Sequence, residues 1–438
     1  MSVTREQPPV HISTTKRKIT AQAGSVLIRQ VARVVGLGSA ITEHLHLKKR
    51  ARGLSEAQFV TAMAEAIALG ARCLDDLAVT RGDEVQTDLR GFRVPAPQTA
   101  GSFLRRFTLG HIRQLDVALR VVNRRALALL GVGRGDRLTL DFDSTYIRSY
   151  SSRRQGADPT WTKRYTLHPL LCFVAEFGMC LHAKLRRGRS GSSTGVAPFV
   201  TECLRRIPRG VAVRARFDSA FYSGKLFAHL ERRGVTYLCG APHNQRLVQV
   251  IRAVPDADYS PCGDDKEGEV AEFGYRTTAD RTFRRYVVKR IAIAPGEQAT
   301  LDGGGYRYWT LVTNDRTSSA AELESEHRHK ALVESGMREL KENFGMHALR
   351  KHGFMANWAW LLILTAGLNL CRWTPALGEL EPDQEMRAKR LRFRYLSVAG
   401  VLVRSGGRWV LKLSDGYPLY DRFVACLSRL RAIPGPAG

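Results

Sequence analysis

Two stretches of strict alternation, each closing on an aspartate, constrain this chain more than any other feature. Leu138, Leu140 and Phe142 alternate with Thr139, Asp141 and Asp143, while Val211, Val213, Ala215 and Phe217 alternate with Arg214, Arg216 and Asp218. A period of two sends successive side chains to opposite faces of a strand. Each segment therefore predicts a strand with one apolar face and one charged face, its acid at the strand's end. More strand-like text lies between them at 170–175 and 179–185, followed by a helical stretch at 196–205. Strands, a helix, another strand and later helices predict a mixed α/β core.

A third acid stands in the stretch from His327 to Lys341. Ser319-Ala-Ala-Glu322 reads as a capping box opening a helix that carries this stretch. Glu334 has Lys330 four positions before it, His327 seven before and Lys341 seven after. Offsets of four and seven return to one side of an α-helix, so one helix would present all four on a single face. A solvated surface helix mixes charges in the same way, so this face gains meaning only beside Asp143 and Asp218.

Charge sets the class of partner. The 438 residues carry a formal net charge of +27, with a sequence pI near 10.3. Such an excess favours polyanions, because each phosphate neutralised releases counterions. Basic clusters recur at Lys48-Lys49-Arg50, at Arg186-Arg187 with Arg189, and from Arg387 to Arg394, an extended track and not a single tag. The eight cysteines show no C-x-x-C pair and the histidines complete no zinc pattern, as in a reducing cytoplasm. No apolar signal segment opens the chain, and the run 358–368 is too short to span a bilayer, so a soluble protein with a buried core helix is expected.

Six regions follow from patterning: a basic arm at 1–20, a helical region at 21–132, a first core part at 133–240, a β-rich insertion at 241–312, a second core part at 313–375 and a basic C-terminal region at 376–438. Pro95-Ala-Pro97 breaks the N-terminal region, and Thr99 is expected to cap a helix bearing Arg105 and Arg106. Short helices with exposed arginines suit a helix-turn-helix DNA reader and a plain helical bundle equally. Arg186, Arg187 and Arg189, ahead of Gly191-Ser-Ser-Thr194-Gly195, suit a phosphate cradle or a solvated loop. Trp309 sits among strand residues and is expected in the core in preference to stacking on a flipped base. His168 is expected to be structural.

Two carboxylates from strands and one from a helix form an oxygen-rich site suited to Mg2+ or Mn2+. With Leu140-Asp-Phe-Asp143-Ser-Thr145, Arg214-Ala-Arg-Phe-Asp218-Ser-Ala-Phe-Tyr222, the strand Tyr308–Asn314 and the helix of Glu334, the chain resembles bacterial insertion-sequence transposases of the DDE class. It is similar to the group whose third acid lies in a Y-x2-R-x3-E-x6-K signature, and most of all to the insertion-sequence family numbered 1380. The likeness runs from about residue 24 to residue 430.

The resemblance implies a ribonuclease-H-like mixed-sheet core with a β-rich insertion, preceded by an α-helical N-terminal DNA-binding domain. It also implies that Asp143, Asp218 and Glu334 hold two Mg2+ or Mn2+ ions, while His327, Lys330 and Lys341 handle the DNA end. Arg105, Arg106, Arg187 and Arg189 are further DNA-binding candidates. His327 stands where the family has tyrosine, and Lys330 where it has arginine. Asp141 points the same way as Asp143 and is a rival for the first acid, or else a supporting or ion-paired group; the family motif favours Asp143. The implied activity is metal-dependent cleavage and strand transfer of double-stranded DNA at terminal inverted repeats, by a homodimer on DNA in a bacterial cytoplasm. The alternatives are a metal-dependent nuclease on the same core and an inactive transposase-derived DNA-binding protein.

Overall fold

The computed structural model describes residues 10–48, 50, 52–160, 162–263, 267–277, 280, 282–293, 305–382 and 386–436, the side chains of residues 330–335 excepted. The alternating segments form strands β1 (Arg137–Ser144) and β4 (Ala212–Phe217). Between them lie β2 (Leu170–Val174) and β3 (Met179–Lys184), and β5 (Thr236–Gly240) follows. After β5 come the short β6 (Ser260–Pro261) and the strands β7 (Glu269–Tyr275), β8 (Arg284–Ala292) and β9 (Tyr306–Thr313). Among the described residues these make one nine-stranded sheet, ordered β6-β7-β8-β9-β5-β4-β1-β2-β3. β1, β4 and β5 run parallel at its centre and every other neighbouring pair is antiparallel. The mixed α/β expectation holds, and the β-rich stretch continues the central sheet through the pairing of β9 with β5.

The N-terminal region supplies α1 (Ser25–Val34), α2 (Leu37–His44), α3 (Glu56–Leu69), α4 (Pro97–Arg105) and α5 (Leu109–Leu129). α4 begins at Pro97 and not at Thr99, because proline's fixed φ and missing N–H suit the first helical position. The second half adds α6 (Val196–Leu204), α7 (Gly224–Glu231), α8 (Ala320–Arg328), α9 (Lys330–Glu342), α10 (Phe354–Gly378) and α11 (Tyr420–Ala432).

α10 is long and apolar enough to cross a membrane by composition, yet most of it is buried inside the fold. It packs between α3, α5 and β3, and the N-terminal helices share one continuous hydrophobic core with it and the sheet. Gly367 permits that closeness: a Cβ there would stand 2.5 Å from the Ile67 side chain. The edge strand β3 is covered as well. Asn369 of α10 accepts from the Cys180 N–H and donates to the Cys180 carbonyl, both at 2.8 Å, while Asn123 of α5 donates to Leu181 at 2.9 Å. These amides satisfy backbone groups that an open edge would offer to another chain. At the N-terminus Ile19–Thr20 pairs with Gly400–Val401; of the predicted arm, residues 1–9 lie outside the described residues.

Candidate active site

β1 and β4 pair in parallel, with Asp141 opposite Arg216. Carried two residues further, the same offset (216 − 141 = 218 − 143) brings Asp143 and Asp218 to one level at the C-terminal ends of neighbouring strands. Such strands lie ~4.8 Å apart, and the shared parity puts both carboxylates on one face. Asp143 accepts from the Ser144 N–H at 2.7 Å, and Asp218 accepts from Ala220 at 2.9 Å, capping a short helical turn at 219–221. Both acids are half-buried. On the opposite face Phe142 stacks on Phe217 with centroids 4.7 Å apart and meets Phe199 of α6 edge-on. That aromatic packing fixes the relative height of the two strands, and so of the two acids.

The charged face is not solvent-facing as its alternation suggests. Asp141 is fully buried and accepts two hydrogen bonds from Arg216, at 2.6 and 2.7 Å. Arg216 also donates to the Glu326 carbonyl of α8 at 2.6 Å. Arg214, buried as well, pairs with Asp315 and Glu326. Burial alone would raise the Asp315 carboxyl, but N–H and hydroxyl groups of Thr317 and Ser318 donate to it and hold it well below the usual carboxylate range. α8 is thus docked on β4 by charge, and Asp141 is ion-paired with Arg216.

The predicted single helix is two. The capping box at Ser319 and Glu322 forms, but α8 ends at Arg328 and α9 starts at Lys330, so His327 and Glu334 lie on different helices. His327 donates from Nε2 to the Phe217 carbonyl at 3.2 Å, just ahead of Asp218. The physical reason for the break is that α8 is held to β4 while α9 lies over β1 and β2. Gly336 seats α9: a Cβ there would stand 3.1 Å from the ring of Phe173 on β2. Phe173 is the register partner of Asp141, so α9 lies over the acid-bearing face.

Glu334 and Lys330 fall on α9, two and six residues before Gly336, and their side chains lie outside the described residues. Among the described residues no three metal-type side chains converge. Two carboxylates at one level, beside the helix that carries the third, are nevertheless the hard oxygen donors that Mg2+ or Mn2+ takes.

The loop after β3 is built around the end of β1. Burial, opposed by the bond to the Ser190 carbonyl and reinforced by the Arg186 cation, pushes His168 down to about 4. The ring is therefore neutral near pH 7. Its Nδ1 donates to Ser190 at 2.6 Å, and Nε2 accepts from the Ser144 hydroxyl at 3.1 Å. The Arg186 guanidinium donates to the carbonyls of Gly191, Ser192 and Thr194 at 2.8 to 3.1 Å and clamps the loop. His168 and Arg186 position the residue next to Asp143.

The remaining DNA candidates are dispersed. Arg187 makes a two-bond pair with Asp158, while Arg189 reaches the same acid only at 4.0 Å and is 71% exposed. Arg105 and Arg106 are exposed at the end of α4. Lys341 is half-buried near the end of α9, in a groove with Tyr146 and Arg148. Trp309 is 49% exposed and not a core residue; it lines a pocket of ≈ 250 Å³ with Val287, Leu311 and His327. Sequence reasoning missed Arg214, Arg216 and Gly336. Only the alternation hinted at the two arginines, and a lone glycine in a charged helix was the one signal of the third.

A family model described as transposase DDE domain group 1 matches residues 3–435. No curated protein matches. Among solved structures the chain is similar to the piggyBac transposase in a cryo-EM structure of its synaptic complex with hairpin DNA. That similarity is 11% sequence identity with a TM-score of 0.42, covering 88% of this chain and 82% of that chain.

Proposed function

Since the chain belongs to the transposase DDE domain group 1 family, we propose that it cuts and joins the DNA ends of its own insertion sequence, using Asp143, Asp218 and Glu334. The observation that carries this reading is the parallel register of β1 and β4, with Asp141 opposite Arg216, which continued by two residues would set Asp143 level with Asp218 beside the helix bearing Glu334. These three residues would hold two Mg2+ or Mn2+ ions, which when bound lower the cost of charge on the attacking and leaving oxygens of an in-line phosphoryl displacement. The protein's own part is placement. Ser144, held by His168, fixes the backbone beside Asp143, and the capped turn at 219–221 does so beside Asp218. Lys341, two helical turns beyond Glu334, would meet a backbone phosphate.

The finer reading extends this to the insertion-sequence family numbered 1380, with His327 and Lys330 in signature places that usually hold tyrosine and arginine. The helices at 21–132 would read the terminal inverted repeats, and two copies would pair two ends. Trp309, with its exposed ring beside His327, would take a base displaced from the end. No covalent protein–DNA bond is required: water frees a 3′-hydroxyl, which then attacks a target phosphodiester as one P–O bond forms and another breaks.

The test is a strand-transfer assay with a 3′-hydroxyl donor end and Mg2+. Joined products made by the wild type and lost in Asp143→Asn, Asp218→Asn and Glu334→Gln support the reading. Cleavage without joining points to a simple nuclease. DNA binding without cleavage points to an inactive descendant.

A further inference from the structure

Immediately past Asp143 the chain lines a groove of which the chemistry above uses only Lys341. Tyr146, Arg148, Tyr150, Arg154, Lys341 and Arg350 surround a volume of ≈ 230 Å³, floored by Ile147 and Leu349. Four cations, two tyrosines and His347 make up its polar wall. None of the four is ion-paired with a carboxylate among the described residues: Arg154 donates to the Ser149 hydroxyl at 2.8 Å, and Arg148 lies over the Tyr150 ring at 4.7 Å. Burial and the Arg350 cation both lower the Arg154 guanidinium. Like charges gathered without a neutralising acid are costly unless an anion joins them.

The tyrosines are displayed, not packed away. Tyr150 is 81% exposed and Tyr146 is 45% exposed, the latter held by stacking on His168 with centroids 4.0 Å apart. A flat ring open to solvent and backed by a guanidinium is a stacking platform for a nucleobase. Bases inside an intact duplex already stack on one another and offer no free face, so exposed rings favour an unpaired strand. The location agrees. Tyr146 follows Asp143 by three residues, and Lys341 lies seven residues, or ~10 Å of helix, beyond Glu334.

We propose that this groove holds one or two unpaired nucleotides of the DNA strand running off the acid site, a base stacking on Tyr150 while Arg148, Arg154, Lys341 and Arg350 meet the flanking phosphates. The assignment rests on the transposase reading above and adds to it a single-strand subsite. It predicts that base and backbone are bound by separable groups, Tyr150 for the first and the cations for the second.

The test uses the full-length protein and fluorescence anisotropy with three labelled probes: oligothymidylate, an abasic oligonucleotide of the same length, and a mixed-sequence duplex. Tyr150→Ala is expected to weaken oligothymidylate binding about 5- to 100-fold while leaving the abasic strand and the duplex within about two-fold of wild type. Tyr150→Phe should bind all three as wild type does, because the ring remains. Equal losses on oligothymidylate and the abasic strand, or no change on any probe, would overturn the proposed base subsite. A wild type that binds none of the three would instead defeat the DNA-processing reading as a whole. Tyr150 is 81% exposed, so its substitution leaves the core untouched, and circular dichroism checks the fold of the variants.

Discussion

Replacing Asp141 by asparagine separates the two acids of β1 by their energetics. Asp141 is 0% exposed and Arg216 is 3% exposed, and the pair shares two hydrogen bonds at 2.6 and 2.7 Å. An asparagine keeps the shape but turns one acceptor into a donor facing a guanidinium, which leaves a buried cation without its counter-charge. Breaking a buried pair from one side costs ~3–5 kcal/mol, whereas replacing both partners by apolar groups of similar size costs far less. With an unfolding entropy of ~2.1 cal/mol/K per residue, that loss lowers Tm by about 3–5 °C for a chain of this length. The assay is thermal unfolding followed by far-ultraviolet circular dichroism, with Mg2+-dependent cleavage measured on the same preparations. Asp141→Asn should lose stability, and the double variant Asp141→Leu, Arg216→Met should regain most of it. Asp143→Asn, at a half-buried strand end, should lose cleavage with little change in Tm. If Asp141→Asn unfolds within ~0.5 kcal/mol of wild type and abolishes cleavage, while Asp143→Asn still cuts, the assignment of the two acids is reversed.

Other consequences are as direct. Asp218→Asn and Glu334→Gln should each lower metal-dependent cleavage by ~10³-fold or more, read in single-turnover assays, since ligand loss removes several kcal/mol of transition-state stabilisation. Gly336→Ala would push a methyl against Phe173, costing ~1–3 kcal/mol by overpacking, and Phe173→Leu in the same chain should recover part of that in urea unfolding. Asp315 is held below its ordinary range, so its contribution to stability is complete above the unfolded pKa of ~3.9 and is lost as pH falls below it. Urea midpoints measured down the acid limb should therefore drop less steeply in Asp315→Asn than in wild type. Lys341→Ala should reduce the slope of log affinity against log salt by ~1, while Arg187→Ala, already paired with Asp158, should change it little.

What could be read from the sequence was whatever depends on near neighbours in the chain. Alternation placed β1 and β4, and the spacing of Ser319 and Glu322 located the start of α8. Asp143 and Asp218 stood out because each closes a strand. The misreadings share one cause, contacts made from far along the chain. Alternation says that Arg214 and Arg216 leave the apolar face, but not that a helix more than 100 residues later covers them. Histidine at 329 is no helix breaker by propensity; the division there belongs to α8 docking on β4 and α9 lying over Phe173. Trp309 fits a strand equally well with its ring in the core or on an open wall, so only the packed structure decides.

The acid-bearing face of the sheet also explains why the candidate ligands stand where they do. Along β4 and β1 the charges come in rungs: Arg214 with Asp315 and Glu326, then Arg216 with Asp141, then Asp143 level with Asp218. In the inner rungs, under α8 and α9, each acid meets an arginine, because a buried carboxylate without a cation would be too costly to keep ionised. The last rung sets an acid beside an acid, at strand ends where both side chains are half-buried. Two carboxylates side by side favour a cation shared between them. An arginine placed there, as at Arg216, would satisfy the sheet but take the position that a metal ion would need under the proposed function. Introducing one, as in Ser219→Arg, should therefore suppress Mg2+-dependent cleavage while leaving the fold intact by circular dichroism. An arginine variant that cuts as wild type does would show that the last rung is only another structural pair.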